Sequence, residues 1–141
     1  MKKSRRKARE LAVRGLYQWF VSRNEPAAIE AQLRDCELYP TADEVYLSEV
    51  LHGVVEREEA LEAFVAPHLD RPSAELSPVE HMILLLAAFE LTQKPDIPYR
   101  VVINEAIELA KAYGGTDGHK YVNGVIDKMA GSVTRSNPAR A

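Results

Sequence analysis

A chain of 141 residues, 46% hydrophobic and 28% charged, is ordinary for a globular protein and holds one compact domain or two small helical lobes sharing a core. No apolar run is long enough for a membrane span. Glu10 and Arg14 interrupt the stretch where a signal peptide needs unbroken apolar residues, so a cytoplasmic protein is expected. Cys36 stands alone, which excludes an internal disulfide, and His52, His68, His81 and His119 share no zinc-ligand spacing, so neither metal nor cofactor is expected. The net charge of −3 conceals a polarised chain: Lys2, Lys3, Arg5, Arg6, Lys7, Arg9 and Arg14 share the first fourteen positions with one acid, Glu10. That stretch carries +6 against −9 for the remainder. A polyanion responds to local potential and not to net charge, so the basic start is a candidate for contacting phosphates.

The basic start is not a featureless tail. Ala8, Leu11, Ala12, Gly15, Leu16, Trp19 and Phe20 recur at the i, i+3, i+4, i+7 spacing of one helix face. On the same wheel Lys3, Arg6, Arg14 and Tyr17 lie opposite that stripe, with Arg5 and Arg9 along one border. Tyr17 either stacks a nucleobase while the cations hold phosphates, or packs against another helix of the same protein. Asn24, Glu25 and Pro26 close this helix and open a short second one, with Pro26 in the first turn, where its missing N–H costs nothing. Thr41, with Glu44 three residues on, reads as a capping box for a third helix carrying Val45, Leu47, Val50, Leu51, Val54 and Val55. The polar run Glu56–Glu59 predicts a break or a fourth short helix before Pro67.

Asp70–Ser77 looks like the joint between two halves. Ser77 then supplies an N-cap, Pro78 the first turn and Glu80 the reciprocal capping carboxylate. The helix that follows is apolar over so much of its circumference that it is expected to be buried centrally. Pro95 ends it. Asp96 and Pro98 open the next, with Ile103, Ala106, Ile107 and Ala110 on one face, closing at Gly114 and Gly115 in left-handed C-cap geometry. A last helix is expected from about Gly118 to Met129, ended by Gly131, with 132–141 a disordered tail. No alternating strand pattern appears, so the fold is read as all-α, with about seven helices in two small bundles, an N-terminal lobe over about 1–70 and a C-terminal lobe over about 71–131.

The segment Tyr113–Tyr121 is the one glycine-rich loop. Lys120 is not followed by Ser or Thr, and the loop follows a helix where a nucleotide-binding loop follows a strand, so nucleotide hydrolysis is not expected. Asp117 and His119 have no nucleophile beside them, and no catalysis is expected. As structure, Asp117 is placed to cap the last helix. As function, the loop offers backbone N–H groups, Lys120 and the rings of Tyr113 and Tyr121 to a nucleic-acid strand. Glu108 and Lys111 read as a solvated ion pair.

Leu76-Ser-Pro-Val-Glu80, the run from Asp96 to Lys111, the run from Gly118 to Lys128, and Arg5-Arg6-Lys-Ala-Arg-Glu10 with Leu16-Tyr17 together resemble the NusB family of transcription antitermination factors over nearly the whole chain. The resemblance implies a monomeric or dimeric all-helical RNA-binding protein with two perpendicular helical lobes. It implies pairing with NusE, a small-subunit ribosomal protein, and binding by the pair to the single-stranded boxA element of nascent ribosomal RNA transcripts within the RNA polymerase antitermination complex. Carried over by position, the RNA surface falls on Lys2, Arg5, Arg6, Lys7, Arg9 and Tyr17, and on Tyr113, Asp117, Gly118, His119 and Tyr121. The NusE contact falls on the helix beginning at Ser77, with Glu75 and Glu80 facing a basic partner. The chain departs from the family pattern at His81 and Leu85, where a basic residue is common.

Two other classes fit parts of the same pattern. A related helical domain precedes the catalytic part of some ribosomal RNA cytosine methyltransferases, but this chain leaves no room for a cofactor-binding domain. A protein–protein adaptor could use the basic face for an acidic partner. A homodimer packed through the first helix would mask that face.

Overall fold

The computed structural model describes residues 3–136, and they are all-α: seven helices, with Ser4 and Ala42 forming the only extended pairing among the described residues. The chain divides into two compact units, 1–57 and 58–141.

In the first unit, α1 (Arg5–Ser22) packs on α2 (Pro26–Leu33) and α3 (Glu44–Glu56). The Ser4 hydroxyl accepts from the Lys7 N–H at 3.1 Å, an N-cap. Ser4 also donates to the Thr41 carbonyl at 2.9 Å and accepts from the Asp43 N–H at 3.0 Å, which ties the start of α1 to the turn before α3. Gly15 makes the close α1 crossing. A Cβ there would meet Leu33 at 3.1 Å, Ile29 at 3.2 Å and Leu51 at 3.4 Å, so the apolar stripe read from the sequence is interlocked with both partners. Pro26 occupies the first turn of α2 as expected.

The capping box at Thr41 is not formed. Asp43 caps α3, its carboxylate accepting from the Tyr46 N–H at 3.0 Å, while the Thr41 hydroxyl donates back to the Leu38 carbonyl. Glu44 accepts from the Tyr39 hydroxyl instead of reaching back to a cap. Starting α3 at Glu44 sets its phase: Tyr46, Leu47, Val50, Leu51 and Val54 are buried, and Val45 is 76% exposed.

The helix break falls at Arg57, and the second unit begins with α4 (Glu58–Val65). It continues through α5 (Pro78–Gln93), α6 (Tyr99–Tyr113) and α7 (Gly118–Ser136), and contains the Asp70–Ser77 stretch. Every residue from His81 to Leu91 of α5 is buried, and α4, α6 and α7 all pack on this helix. The Ser77 hydroxyl accepts from the Glu80 N–H at 3.2 Å, the expected cap. Leu85 lies fully in the core. His81 is 5% exposed, and its Nε2 lies 2.7 Å from Glu62 of α4. A polar tie there satisfies a group that burial alone would penalise. Gly131 does not end α7, which runs on to Ser136, because a glycine inside a helix costs only about 1 kcal/mol against alanine and Met129 and Ala130 beside it are buried. Of the expected tail, 132–136 are therefore helical, and 137–141 lie outside the described residues. Among the described residues no helix is long and apolar enough to cross a membrane.

Replacing Gly15 by Val should destabilise the protein by about 1–3 kcal/mol through overpacking, measured as a lowered urea midpoint. An unchanged midpoint would contradict the close crossing.

Candidate nucleic-acid interface

The first turn of α1 contains no acidic residue; Arg5, Arg6 and Lys7 stand there instead, preceded by Lys3. Cations at a helix N-terminus oppose the helix dipole, each costing about 0.3–1 kcal/mol at an exposed site. This arrangement works against α1 as an isolated helix and in favour of any anion brought to its end. Lys3, Arg5 and Arg6 are exposed and Lys7 is half-buried. Lys3 Nζ donates to the Pro40 carbonyl at 2.6 Å, and the Arg5 guanidinium lies 4.2 Å from the centre of the Tyr46 ring. Both cations are thereby held in place with charge to spare. Tyr17 is 42% exposed. Lys2 lies outside the described residues.

Arg9 departs from the helical-wheel expectation. It is 5% exposed, with its guanidinium 5.5 Å from the Tyr46 ring centre. The buried face of α1 is wider than the apolar stripe, taking in Arg9 and Val13, because Tyr46 of α3 offers Arg9 a flat aromatic partner. Tyr46 was missed in the sequence. Its signal is the Asp43 cap, which puts it in phase with Val50 and Leu47.

The second unit presents the loop between α6 and α7. Gly114 and Gly115 do not take the expected left-handed C-cap: no described glycine has a positive φ, and Gly114 is extended at φ −85° and ψ 177°. The left-handed residue is Asp117, at φ 64°. That conformation is not the extended one of an N-cap, so Asp117 is no ordinary cap for α7. Its carboxylate lies 3.3 Å from Lys120 Nζ. Aspartate tolerates the left-handed region better than most residues. Tyr113, Gly118, His119 and Tyr121 are half-buried in and around this loop, and Asp117 is exposed. Glu108 and Lys111 form the expected exposed pair at 3.9 Å.

Tyr121 has neighbours that were not read from the sequence. The Arg71 guanidinium lies 4.4 Å from its ring centre, and Arg71 Nε is in turn held 2.7 Å from Asp70. Asp70 is held below the usual carboxylate range chiefly by that bond with Arg71. The Tyr121 phenol oxygen is buried without a hydrogen-bond partner among the described residues. Burial first, and the Asp70 carboxylate second, push the phenol above its ordinary value. With no hydrogen bond of good geometry formed, Asp70 acts on the phenol through its charge. His68, Asp70, Lys120 and Lys128 line an open notch of about 180 Å³ beside the ring. Lysines beside an aromatic ring suit the phosphate of a strand whose base stacks nearby.

Of the acidic residues expected to face a partner, Glu75 is exposed in the turn before α5. Glu80 is half-buried, and its carboxylate accepts from the Gly115 N–H at 3.2 Å. The side chain does not close a capping box; it reaches across to the α6–α7 loop.

The NusB family model matches residues 6–131. The transcription antitermination protein NusB of Nitrosospira multiformis is 63% identical over 122 residues, covering 86% of this chain and 77% of its own length. The protein of the same name from Paraburkholderia phytofirmans is 56% identical over 133 residues, covering 94% and 92%. Among solved structures, T. maritima NusB superposes with a TM-score of 0.80 at 32% identity over 93% of each chain. A crystal structure of the antitermination factors NusB and NusE in complex with dsRNA gives 0.77 at 22% identity, covering 91% of this chain and 96% of that one, and shows the same fold.

Because its ionised form is disfavoured in the native state, the Tyr121 phenol contributes stability that is fully present below about pH 10 and lost as pH rises through its higher native value. Asp70→Asn removes one of the raising causes. The phenolate signal assigned by difference against Tyr121→Phe should then appear at lower pH than in the parent. A signal that stays put or moves up would contradict this assignment.

Proposed function

The chain belongs to the NusB family, and on that footing we propose that it is a non-catalytic transcription antitermination factor that binds RNA together with NusE. The RNA is the single-stranded boxA element of nascent ribosomal RNA transcripts, and the setting is the RNA polymerase antitermination complex in the cytoplasm. The observation that carries the reading is the first turn of α1, where Arg5, Arg6 and Lys7 stand against the helix dipole and the turn itself contains no acidic residue.

Lys2, Lys3, Arg5, Arg6 and Lys7 bind phosphates, which positions a strand without reading it. Tyr17, exposed ten residues beyond Lys7 on the same helix, supplies a surface for a base. Arg9 acts from beneath, sharing the Tyr46 ring with Arg5. In the second unit, Tyr113, Asp117, Gly118, His119 and Tyr121 meet RNA through the loop, and Arg71 joins them by lying on the Tyr121 ring. Unstacked bases recognised there, with NusE as partner, would account for sequence preference that a basic surface alone lacks. Glu75, at the entry to α5, faces the basic partner, with Glu80 behind it.

Fluorescence anisotropy of a short boxA RNA, against a scrambled strand and at two salt concentrations, tests this reading. Tighter binding to boxA, strengthened by NusE, is expected. Replacing Lys3, Arg5 and Arg6 by Ala should weaken binding and flatten the salt dependence by about 0.7 in log–log slope for each phosphate of a single strand that is no longer neutralised. Equal binding to both RNAs regardless of NusE, or an unchanged slope in the triple variant, would contradict it.

A further inference from the structure

Glu80 and Gly115 are 35 residues apart in sequence, yet the carboxylate of one accepts the backbone N–H of the other at 3.2 Å. The interaction is built from both sides. On the α5 side, the Ser77 hydroxyl holds the Glu80 N–H at 3.2 Å, which fixes Glu80 in the first turn. A carboxylate is favoured there by the helix dipole. On the loop side, two glycines make room. A Cβ on Gly118 would overlap the Glu80 carboxylate, and a Cβ on Gly114 would stand 3.0 Å from Glu80 Oε2 and 2.6 Å from the Ala110 carbonyl. Neither glycine has a positive φ. Backbone freedom therefore does not explain them: the seat for the carboxylate explains Gly118, and at Gly114 that seat adds to the closer approach of the Ala110 carbonyl.

We propose that Glu80 is a positioning residue, whose carboxylate, seated on Gly114, Gly115 and Gly118, fixes the α6–α7 loop in the shape that meets RNA. The seat flanks the one left-handed residue of the loop, Asp117 at φ 64°. A loop of small residues without an anchor samples many conformations, and ordering it on binding costs affinity. The latch meets that cost in the free protein. It also joins the start of α5, where Glu75 stands exposed, to the loop that carries His119 and Tyr121. The consequence for RNA rests on the function proposed above; the latch itself does not.

The test uses the full chain and four variants, Glu80→Ala, Glu80→Gln, Gly118→Ala and the Glu80→Ala/Gly118→Ala double, with circular dichroism as a check on folding. Amide hydrogen exchange at Gly115 reads the latch, and anisotropy with boxA RNA in the absence of NusE reads its consequence. Glu80→Ala should speed Gly115 exchange by about tenfold, the loss of one charge-assisted hydrogen bond, and weaken RNA binding by about three- to tenfold. Glu80→Gln, which keeps an acceptor oxygen, should recover most of both losses. Gly118→Ala should speed Gly115 exchange in the parent as Glu80→Ala does, yet speed it no further in the Glu80→Ala background, because the atom it collides with is gone.

A Gly118→Ala acceleration of Gly115 exchange that persists undiminished in the double variant overturns the latch, as does unchanged Gly115 exchange in a folded Glu80→Ala. A parent protein that binds no boxA RNA overturns the proposed function instead. The latch then stands or falls on the exchange rates and the double variant.

Discussion

The second unit depends on the complete burial of α5. Eleven consecutive residues, His81 to Leu91, are out of water, and helices on either side in the chain pack against them. Fully burying one Leu or Ile side chain is worth about 1.5–3 kcal/mol, whereas a typical internal hydrogen bond contributes about 0.5–1.5 kcal/mol net. Ile83, Leu84, Leu85, Leu86 and Leu91 are all at or near zero exposure. Apolar burial therefore sets the fold, and the polar ties choose among loop conformations. His81 with Glu62 and Glu80 with Gly115 both spring from the first turns of α5, whose position the core has already decided. A rigid helix makes a precise mount for a flexible loop.

The first unit solves the opposite problem. Its α1 begins with cations that disfavour its own helical end. Burial of Leu11, Ala12, Leu16 and Trp19, the Ser4 cap and the Tyr46 ring shared by Arg5 and Arg9 offset that cost. What results is a row of exposed positive charge on a rigid element, suited to phosphate. Arg23 repeats the device at the other end. In a left-handed C-cap at φ 59°, it donates its N–H to the Trp19 carbonyl at 2.7 Å and lays its guanidinium 4.5 Å from the centre of the Trp19 ring.

Local signals in the sequence were reliable where one residue's chemistry decides the outcome. Pro26 and Pro78 start helices, Ser77 caps one, the break falls inside Glu56–Glu59, and the apolar circumference of α5 means burial. Ambiguity arose where neighbours compete. Thr41 and Asp43 are both good caps, and it is Asp43 that caps α3; of the apolar residues that the helix carries, Val45 is exposed, while Tyr46 is buried. Tertiary neighbours were not legible. Arg9 looked like a border cation because nothing local reveals an aromatic ring on another helix. Gly118 reads as the start of the last helix, because the carboxylate it accommodates lies more than thirty positions away. Arg71 was hidden in a stretch read as a joint, and only the folded chain puts it on Tyr121.

The most direct test is a map of where RNA touches the protein. Backbone amide shifts of the isotope-labelled full chain, followed by NMR during titration with boxA RNA, should change along the first turns of α1 through Tyr17 and across the Tyr113–Tyr121 loop. The face carrying Glu25–Asp35 should stay still. Shifts confined to that stretch, with α1 and the loop unmoved, would contradict the claim that the cationic helix start and the latched loop meet RNA.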